Sequence, residues 1–181
     1  MVDGEVLRMT KRDDILLIVG VAALSTATYL LYRSKKKGNT TMTTKPQLPR
    51  GYRNNNPLNI RYSPSNKWIG AVAKNTDGVF EQFTTMAYGY RAAMQLLRKY
   101  INQYGLTTVS EIINRWAPPT ENNTTGYISR VIGINGWTAA KEIGPDSKDD
   151  MTKLVYAMAI VENGNSILPN WSEINQGWNL L

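Results

Sequence analysis

The segment LVYAMAIVENGNS, residues 154–166, constrains the fold more than any other part of the chain. Six of its first eight residues are large apolar side chains or Tyr, and the other two are Ala. A helix that is apolar on nearly every side has no polar face for water, so it must be buried among other elements. We therefore predict that this segment is the central helix of a mainly helical domain, capped at Asp149 or Asp150 and running to Glu162.

Glu162 ends this predicted helix, beside Asn163 and Gly164. The last turn of a helix carries the negative end of the macrodipole, and apolar packing also disfavours a charge, so both effects favour the protonated carboxyl. A carboxyl that is protonated near neutral pH can serve as a general acid towards a glycosidic oxygen. The alternative is a solvated glutamate at a helix end, next to an Asn-Gly cap.

Composition narrows the chemistry further. The 181 residues include no Cys and no His, which excludes disulfides, thiolate metal sites, His-based triads and the usual zinc sites. Acid–base chemistry must then come from Asp, Glu, Lys or Tyr, and we expect neither a metal nor a cofactor. Residues 1–50 hold nine Lys or Arg and four Asp or Glu, whereas residues 51–181 hold twelve and ten. Because the basic charge is concentrated near the N-terminus, we do not expect the domain to bind nucleic acid specifically.

Residues 15–32, ILLIVGVAALSTATYLLY, carry no charge. As a helix they would be about 27 Å long, close to the hydrocarbon thickness of a bilayer, and basic residues flank both ends. The following TYLLYRSKKK offers no small-residue cleavage site, so we predict an uncleaved transmembrane helix rather than a signal peptide. The heavier basic run after residue 32 places the C-terminal part on the cytoplasmic side.

The chain is therefore divided into a short N-terminal tail (1–14), a transmembrane helix (15–32), a basic stalk rich in Thr and Pro (33–50) and a domain (51–181). Within the domain, residues 57–83 predict a small β-lobe. Its expected parts are a short strand over residues 58–62, a second strand at Trp68–Ala73 and a hairpin at Asp77-Gly78.

Helices are predicted after the lobe. The first begins at Thr84 or Thr85 and ends at Tyr104, before Gly105. A capping box, Thr108 to Glu111, starts the second. A third covers about Thr125–Ile132, and a short one covers Thr138–Glu142.

The lobe is rich in amides and also carries the aromatic side chains Tyr62 and Trp68. The asparagines that matter here, in the lobe or directly before it, are Asn54, Asn55, Asn56, Asn59 and Asn66. Amides and aromatic faces together suit a neutral, N-acetylated sugar polymer, although Asn also favours turns on its own account.

Three segments resemble, in their order, the β-lobe and following helix of flagellar-type glucosaminidases and phage lysozyme-like muramidases. They are Asn59-Ile60-Arg61, Trp68-Ile69-Gly70 and Phe80 to Gly89. The segment AIVENG is similar to the helix end that carries the acid in lysozyme-like lytic transglycosylases. Two further segments resemble those of small phage-encoded proteins described as virion structural proteins or lysins. Their sequences are RNNNPLNIR and INRWAPPTENNTTGYISRV. The resemblance covers about residues 51–165.

The resemblance implies an α+β, mostly α, lysozyme-like domain that is preceded by the transmembrane helix. In most lysozyme-like enzymes the acid-bearing helix precedes the β-lobe, whereas Glu162 follows it here, so the likeness requires a circular permutation. The implied activity is peptidoglycan cleavage by a virion-associated, membrane-anchored glycosidase, located in the internal membrane of a phage virion and in the host inner membrane during assembly. The expected partners are peptidoglycan glycan strands, the lipid bilayer through residues 15–32 and capsid proteins.

The resemblance assigns Glu162 as the general acid and Glu81 as a second carboxylate, although a lytic transglycosylase needs only one acid. The implied substrate-binding residues are Asn59, Tyr62, Trp68, Arg115 and Tyr127. Muramidase, transglycosylase and glucosaminidase activities all remain open at this point. The alternative is a virion structural protein with a lysozyme-like fold that binds glycan or capsid without cleavage.

Overall fold

Six helices carry the fold of residues 47–181, the part of the chain that the computed structural model describes. In chain order they are α1 (Arg50–Arg53), α2 (Met86–Tyr104), α3 (Val109–Trp116), α4 (Thr124–Asn135), α5 (Lys148–Asn163) and α6 (Trp171–Asn179). Strand structure in this range is limited to isolated β-bridges, so the mostly α prediction is confirmed. The predicted transmembrane helix, residues 15–32, lies outside the described residues. Within residues 47–181, no helix combines the length and the apolar character that a bilayer crossing requires.

Local capping signals set the ends of α2 and α3. The Thr85 side chain accepts a hydrogen bond from the Tyr88 backbone N–H, and α2 ends at Gly105, whose φ is +65°. Thr108 and Glu111 form the predicted capping box at the start of α3. The predictions for these two helices are confirmed, because the signals act within three or four residues of the helix end.

The segment between α3 and α5 differs from its prediction at two places. Helix α4 runs from Thr124 to Asn135, beyond the predicted Thr125–Ile132, because Asn123 caps its start. The predicted short helix Thr138–Glu142 is wrong. Its residues form a turn and one β-bridge to Thr108, since the N–H of Val109 donates to the Lys141 carbonyl at 3.0 Å.

Helix α5 is the central helix, as its apolar pattern predicted. It packs against α1, α2, α4 and α6. It starts after Ser147, slightly earlier than expected, and ends at Asn163. Eight of its residues are buried: Met151, Thr152, Leu154, Val155, Ala157, Met158, Ala159 and Ile160.

The lobe, residues 57–83, contains no regular strand, so both predicted strands are wrong. Two isolated bridges, Arg61 to Phe80 and Ala71 to Phe83, join its extended segments. The fully buried Asn56 side chain adds further hydrogen bonds between these segments. Its Nδ2 donates to the carbonyls of Ile60 and Glu81, each at 2.9 Å, and its Oδ1 accepts from the Ile60 N–H at 2.9 Å. One amide side chain thus replaces part of a strand ladder.

A second polar cluster joins α1 to the predicted turn at Asp77-Gly78. The Arg50 guanidinium donates to both carboxylate oxygens of Asp77, at 2.7 and 2.6 Å, and Asn54 Nδ2 donates to one of them at 2.9 Å. The Asp77 carboxylate also accepts from the Phe80 N–H at 2.9 Å. The Arg50 guanidinium, more than any other group, lowers the pKa of Asp77 well below its ordinary value, so the cluster depends on an ionised carboxylate.

Helix α2 meets two neighbours at glycine contacts. A Cβ added to Gly89 would lie 2.0 Å from the Asn55 carbonyl oxygen, and on the other side a Cβ added to Gly177 of α6 would lie 2.8 Å from the Ala87 carbonyl oxygen. These contacts leave no room for a side chain, so the lobe and α6 both pack directly on the backbone of α2.

Candidate functional site

A groove of about 440 Å³ lies between the lobe and the helical part of the domain. Its lobe side is formed by Leu58, Asn59, Ile60, Arg61, Asn66, Trp68 and Phe80. Its helical side is formed by Leu96, Tyr100, Trp116, Ala117, Pro118, Glu121, Asn122 and Glu162. The predicted central carboxylate and two predicted sugar-binding residues, Asn59 and Trp68, therefore share one concave surface.

The Glu162 carboxylate accepts three hydrogen bonds from side chains. Its Oε2 accepts from Asn59 Nδ2 at 3.0 Å. Its Oε1 accepts from Trp116 Nε1 at 3.1 Å and from the Tyr127 hydroxyl at 3.0 Å. The three donors come from the lobe, the end of α3 and α4, so Glu162 connects three elements to the end of α5.

These donors change the expected environment of Glu162. The sequence predicted apolar surroundings, but the nearest groups are N–H and O–H donors, which stabilise an ionised carboxylate. Burial, and then the charge of Glu162 and its hydrogen bond, raise the pKa of Tyr127 well above the ordinary value of a phenol. Tyr127 therefore keeps its proton and remains a donor to Oε1.

Asn59 reaches Glu162 through an unusual backbone conformation, with φ at +51°. Asn tolerates this left-handed region better than most residues do. Its Nδ2 contacts the carboxylate, while its Oδ1 is buried and accepts no hydrogen bond from the described residues. The Oδ1 of Asn163, next to Glu162 in sequence, is also buried and lacks a donor among residues 47–181.

Aromatic side chains line much of the groove. Tyr100 and Trp116 meet edge to face, with ring centroids 6.4 Å apart and planes at 61°. Trp68 faces them from the lobe side of the groove. Rings of this kind provide the flat apolar surfaces on which a sugar ring can pack, and the neighbouring amides Asn66 and Asn122 offer donors and acceptors.

Three predicted site residues lie elsewhere. Glu81 is 4% exposed, does not line the groove, and accepts hydrogen bonds from Asn66 Nδ2 at 2.7 Å and from the Ser63 N–H at 3.3 Å. Tyr62 is 38% exposed and also outside the groove lining. Arg115 lies beside the groove lining, with its guanidinium 5.3 Å from the ring centroid of Tyr104.

Sequence reasoning missed several groove residues, of which Trp116 and the pair Arg61 and Glu121 matter most. Arg61 Nη2 and Glu121 Oε2 are 3.3 Å apart, and both side chains are largely exposed. Since Arg61 belongs to the lobe and Glu121 follows α3, this ion pair crosses the groove. For Trp116, the available signal was its position directly after Arg115, in a segment that carried the family resemblance.

Acidic side chains in the described part of the chain do not form a metal-type cluster of three or more. The groove instead offers one hydrogen-bonded carboxylate, amides and aromatic rings, which is a set of groups suited to an uncharged polyhydroxy ligand.

A phage protein shares much of this sequence. The chain is 36% identical over 134 residues to Protein P5 of Pseudoalteromonas phage PM2, an alignment that covers 73% of this chain and 81% of the phage protein. The chain belongs to the Protein P5 family. The phage origin expected from the sequence is thereby supported at the level of this family. No protein-family model matches the chain.

Proposed function

We propose that this member of the Protein P5 family is a peptidoglycan-cleaving glycosidase, with Glu162 as its general acid. The observation that carries the proposal is the position of Glu162: it is a carboxyl group fixed by three side chains in the surface of a groove that also presents Trp68, Tyr100 and Trp116. A general acid must be held within hydrogen-bond reach of the oxygen that it protonates, and fixed geometry is the first requirement.

The two carboxylate oxygens of Glu162 differ in their capacity to carry a proton. Among the residues that the structure describes, Trp116 and Tyr127 donate to Oε1, whereas Asn59 alone donates to Oε2. The transferable proton is therefore assigned to Oε2. Protonation of the glycosidic oxygen by this group would let the bond to the anomeric carbon break through an oxocarbenium-like transition state.

The lytic transglycosylase reaction is the form that fits this groove best. A hydrolase of the ordinary type needs two carboxylates that flank the bond. Glu81 is buried outside the groove lining, and Glu121, which does line the groove, is engaged with Arg61. In a transglycosylase, groups of the sugar itself complete the reaction, so Glu162 alone suffices.

The wider assignment follows from the sequence pattern. We propose a lysozyme-like domain in permuted order, in which the lobe precedes the acid-bearing helix α5, anchored to a bilayer through residues 15–32. The family relationship to a phage protein supports a place in a virion, where an internal membrane would hold the enzyme until it meets the host wall. Glycan strands and capsid proteins are the proposed partners.

A second function, a virion structural protein without catalysis, is favoured by one specific observation. All three donors to Glu162 come from different elements, so the same carboxylate can serve purely to tie the lobe to the helices. In that case the groove would bind glycan or capsid without breaking a bond.

Release of soluble fragments from purified peptidoglycan tests the proposal. The full-length chain should release fragments, Glu162→Gln should release none while still unfolding in one cooperative transition, and Glu121→Gln, the matched control in the same groove, should remain active. Reducing-end analysis separates the reactions, because hydrolysis creates a new reducing end and transglycosylation does not. A folded wild-type chain that binds peptidoglycan and releases nothing would overturn the enzymatic reading in favour of the structural one.

A further inference from the structure

The site contains two buried carbonyl oxygens that accept no hydrogen bond from residues 47–181, and both belong to side chains around Glu162. They are Oδ1 of Asn59 and Oδ1 of Asn163. Buried polar atoms are nearly always paired, so two unpaired acceptors beside one carboxylate require an explanation.

The two oxygens approach the same small space. A Cβ added to Gly51 would lie 2.3 Å from Asn163 Oδ1 and 3.1 Å from Asn59 Oδ1. The amide of Asn163 is fixed in its orientation, because its Nδ2 donates to the carbonyls of Pro57 at 2.7 Å and Ala159 at 2.9 Å. Asn163 therefore keeps its acceptor turned towards Gly51 and Asn59.

The amide of Asn59 is held by a single group. Its Nδ2 donates to Glu162 Oε2 at 3.0 Å, an arrangement that suits an ionised carboxylate. If Oε2 takes up a proton, it becomes a weaker acceptor for the Asn59 N–H, and its new O–H needs an acceptor of its own. A proton on Oε1 is less favourable than one on Oε2, because Oε1 already accepts from Trp116 and Tyr127 and the indole N–H of Trp116 can only donate.

We propose that Asn59 is a positioning residue whose side-chain amide rotates by half a turn when Glu162 is protonated. In the rotated form, Oδ1 of Asn59 accepts the proton of Glu162 Oε2, and Nδ2 moves to the side of Asn163 Oδ1 and donates to it. Both unpaired oxygens gain a partner. In the ionised site, Asn59 keeps its hydrogen bond to the carboxylate while the Oδ1 atoms of Asn59 and Asn163 stay unpaired. In the protonated site, both of these oxygens accept a hydrogen bond.

The consequence is a site that accepts the protonated form of Glu162 without losing its geometry. The inference deepens the proposed function, since a general acid must hold its proton and its position together, but the rotation itself requires only that Glu162 titrates. The other titratable groups that face Glu162 are Tyr127 of α4, Tyr100 of α2, Arg61 of the lobe and Glu121 after α3.

Side-chain NMR of the full-length chain tests the rotation without reference to activity. We expect the ¹⁵Nδ2 signal of Asn59 and the carboxyl ¹³C signal of Glu162 to shift with the same midpoint as pH is lowered. A nuclear Overhauser contact between the amide protons of Asn59 and the α-protons of Gly51 should appear over the same range. Asn59 signals that do not follow the Glu162 midpoint, or the lack of that contact at low pH, would overturn the inference.

Glu162→Gln provides the locked form. Its Nε2 can donate to Asn59 Oδ1 while its Oε1 accepts from Trp116 and Tyr127, so the Asn59 signal should stay at the low-pH position at every pH. Retention of the high-pH position in this variant would contradict the rotation. Glu121→Gln is the matched control: it removes a charge that faces Glu162 and can move the midpoint, but the Asn59 and Glu162 signals should still shift together. If Glu162→Gln does not fold, the wild-type titration alone decides. A coupled titration in a chain that releases no glycan would overturn the proposed function and leave the rotation standing.

Discussion

Substitution of Tyr127 by Phe removes one hydroxyl from the site and keeps the ring. The hydroxyl donates to Glu162 Oε1 at 3.0 Å, and a hydrogen bond to a charged acceptor contributes about 1.5–3 kcal/mol to stability. The carboxylate oxygen keeps its second donor, Trp116 Nε1 at 3.1 Å, so it is not left unpaired. We therefore expect a loss near the lower end, about 1.5 kcal/mol in the free energy of unfolding.

Urea unfolding of the full-length chain measures this loss, with Tyr104→Phe as the matched control. The Tyr104 side chain is half exposed, and its hydroxyl makes no hydrogen bond with the described residues, so the control should change stability by less than about 0.5 kcal/mol. A double-mutant cycle with Glu162→Ala, which removes the acceptor, should recover most of the Tyr127 effect as coupling between the two residues.

The pH dependence of this effect has a defined sign. The pKa of Tyr127 is raised in the folded chain above its ordinary value of 10.0, so the folded chain retains a proton that the unfolded chain releases at high pH. The stabilising contribution of the hydroxyl is therefore complete below pH 10 and declines as pH rises further. If Tyr127→Phe and Tyr104→Phe have equal unfolding free energies at pH 7, the hydroxyl does not hold Glu162 and the site geometry argued above is wrong.

Three further substitutions test other parts of the structure. Asp77→Asn should lower the free energy of unfolding at neutral pH. Because the pKa of Asp77 is depressed below its ordinary 3.8, the difference in this free energy between wild type and variant should be constant above about pH 5 and shrink as pH falls below that ordinary value. An equal difference at pH 7 and pH 2 in urea titrations would contradict this. Gly89→Ala should destabilise the chain by about 1–3 kcal/mol, because its Cβ would meet the Asn55 carbonyl oxygen at 2.0 Å. Gly133→Ala, in a helix position with open space around it, should stabilise the chain by about 0.5–1 kcal/mol. Similar shifts of the melting temperature for both variants would refute the packing argument. Arg61→Ala breaks the exposed ion pair across the groove, so it should change the free energy of unfolding by less than about 1 kcal/mol, which urea unfolding can measure.

The features that sequence predicted well are those set by neighbouring residues. The Thr85 cap, the Gly105 stop and the Thr108–Glu111 capping box each act within a few positions, and the burial of α5 follows from its own composition. Interactions of this short range can be predicted from the sequence without knowledge of the fold.

The features that sequence did not predict depend on distant partners. The donors to Glu162 lie 103, 46 and 35 residues away, so the polar character of its surroundings could not be read from the apolar helix that carries it. The lobe strands failed for a related reason, since the buried amide of Asn56 takes hydrogen bonds that a strand ladder would otherwise make. Glu81 was chosen as one of only two acids in the lobe, and its burial depends on contacts with Ser63 and Asn66 that come with the folded loop.

A contact with the residue that follows α6 determines when folding can be completed during synthesis. Arg91 of α2 is 6% exposed, and its Nε donates to the Leu180 carbonyl, 89 residues further along the chain, at 2.8 Å. A ribosome that adds about 5–20 residues per second needs roughly 5–20 seconds to cover that interval. During that time the guanidinium has no access to this acceptor, so α2 cannot reach its final surroundings before Leu180 has been added. The domain should therefore reach its native state only after residue 180 has emerged from the exit tunnel.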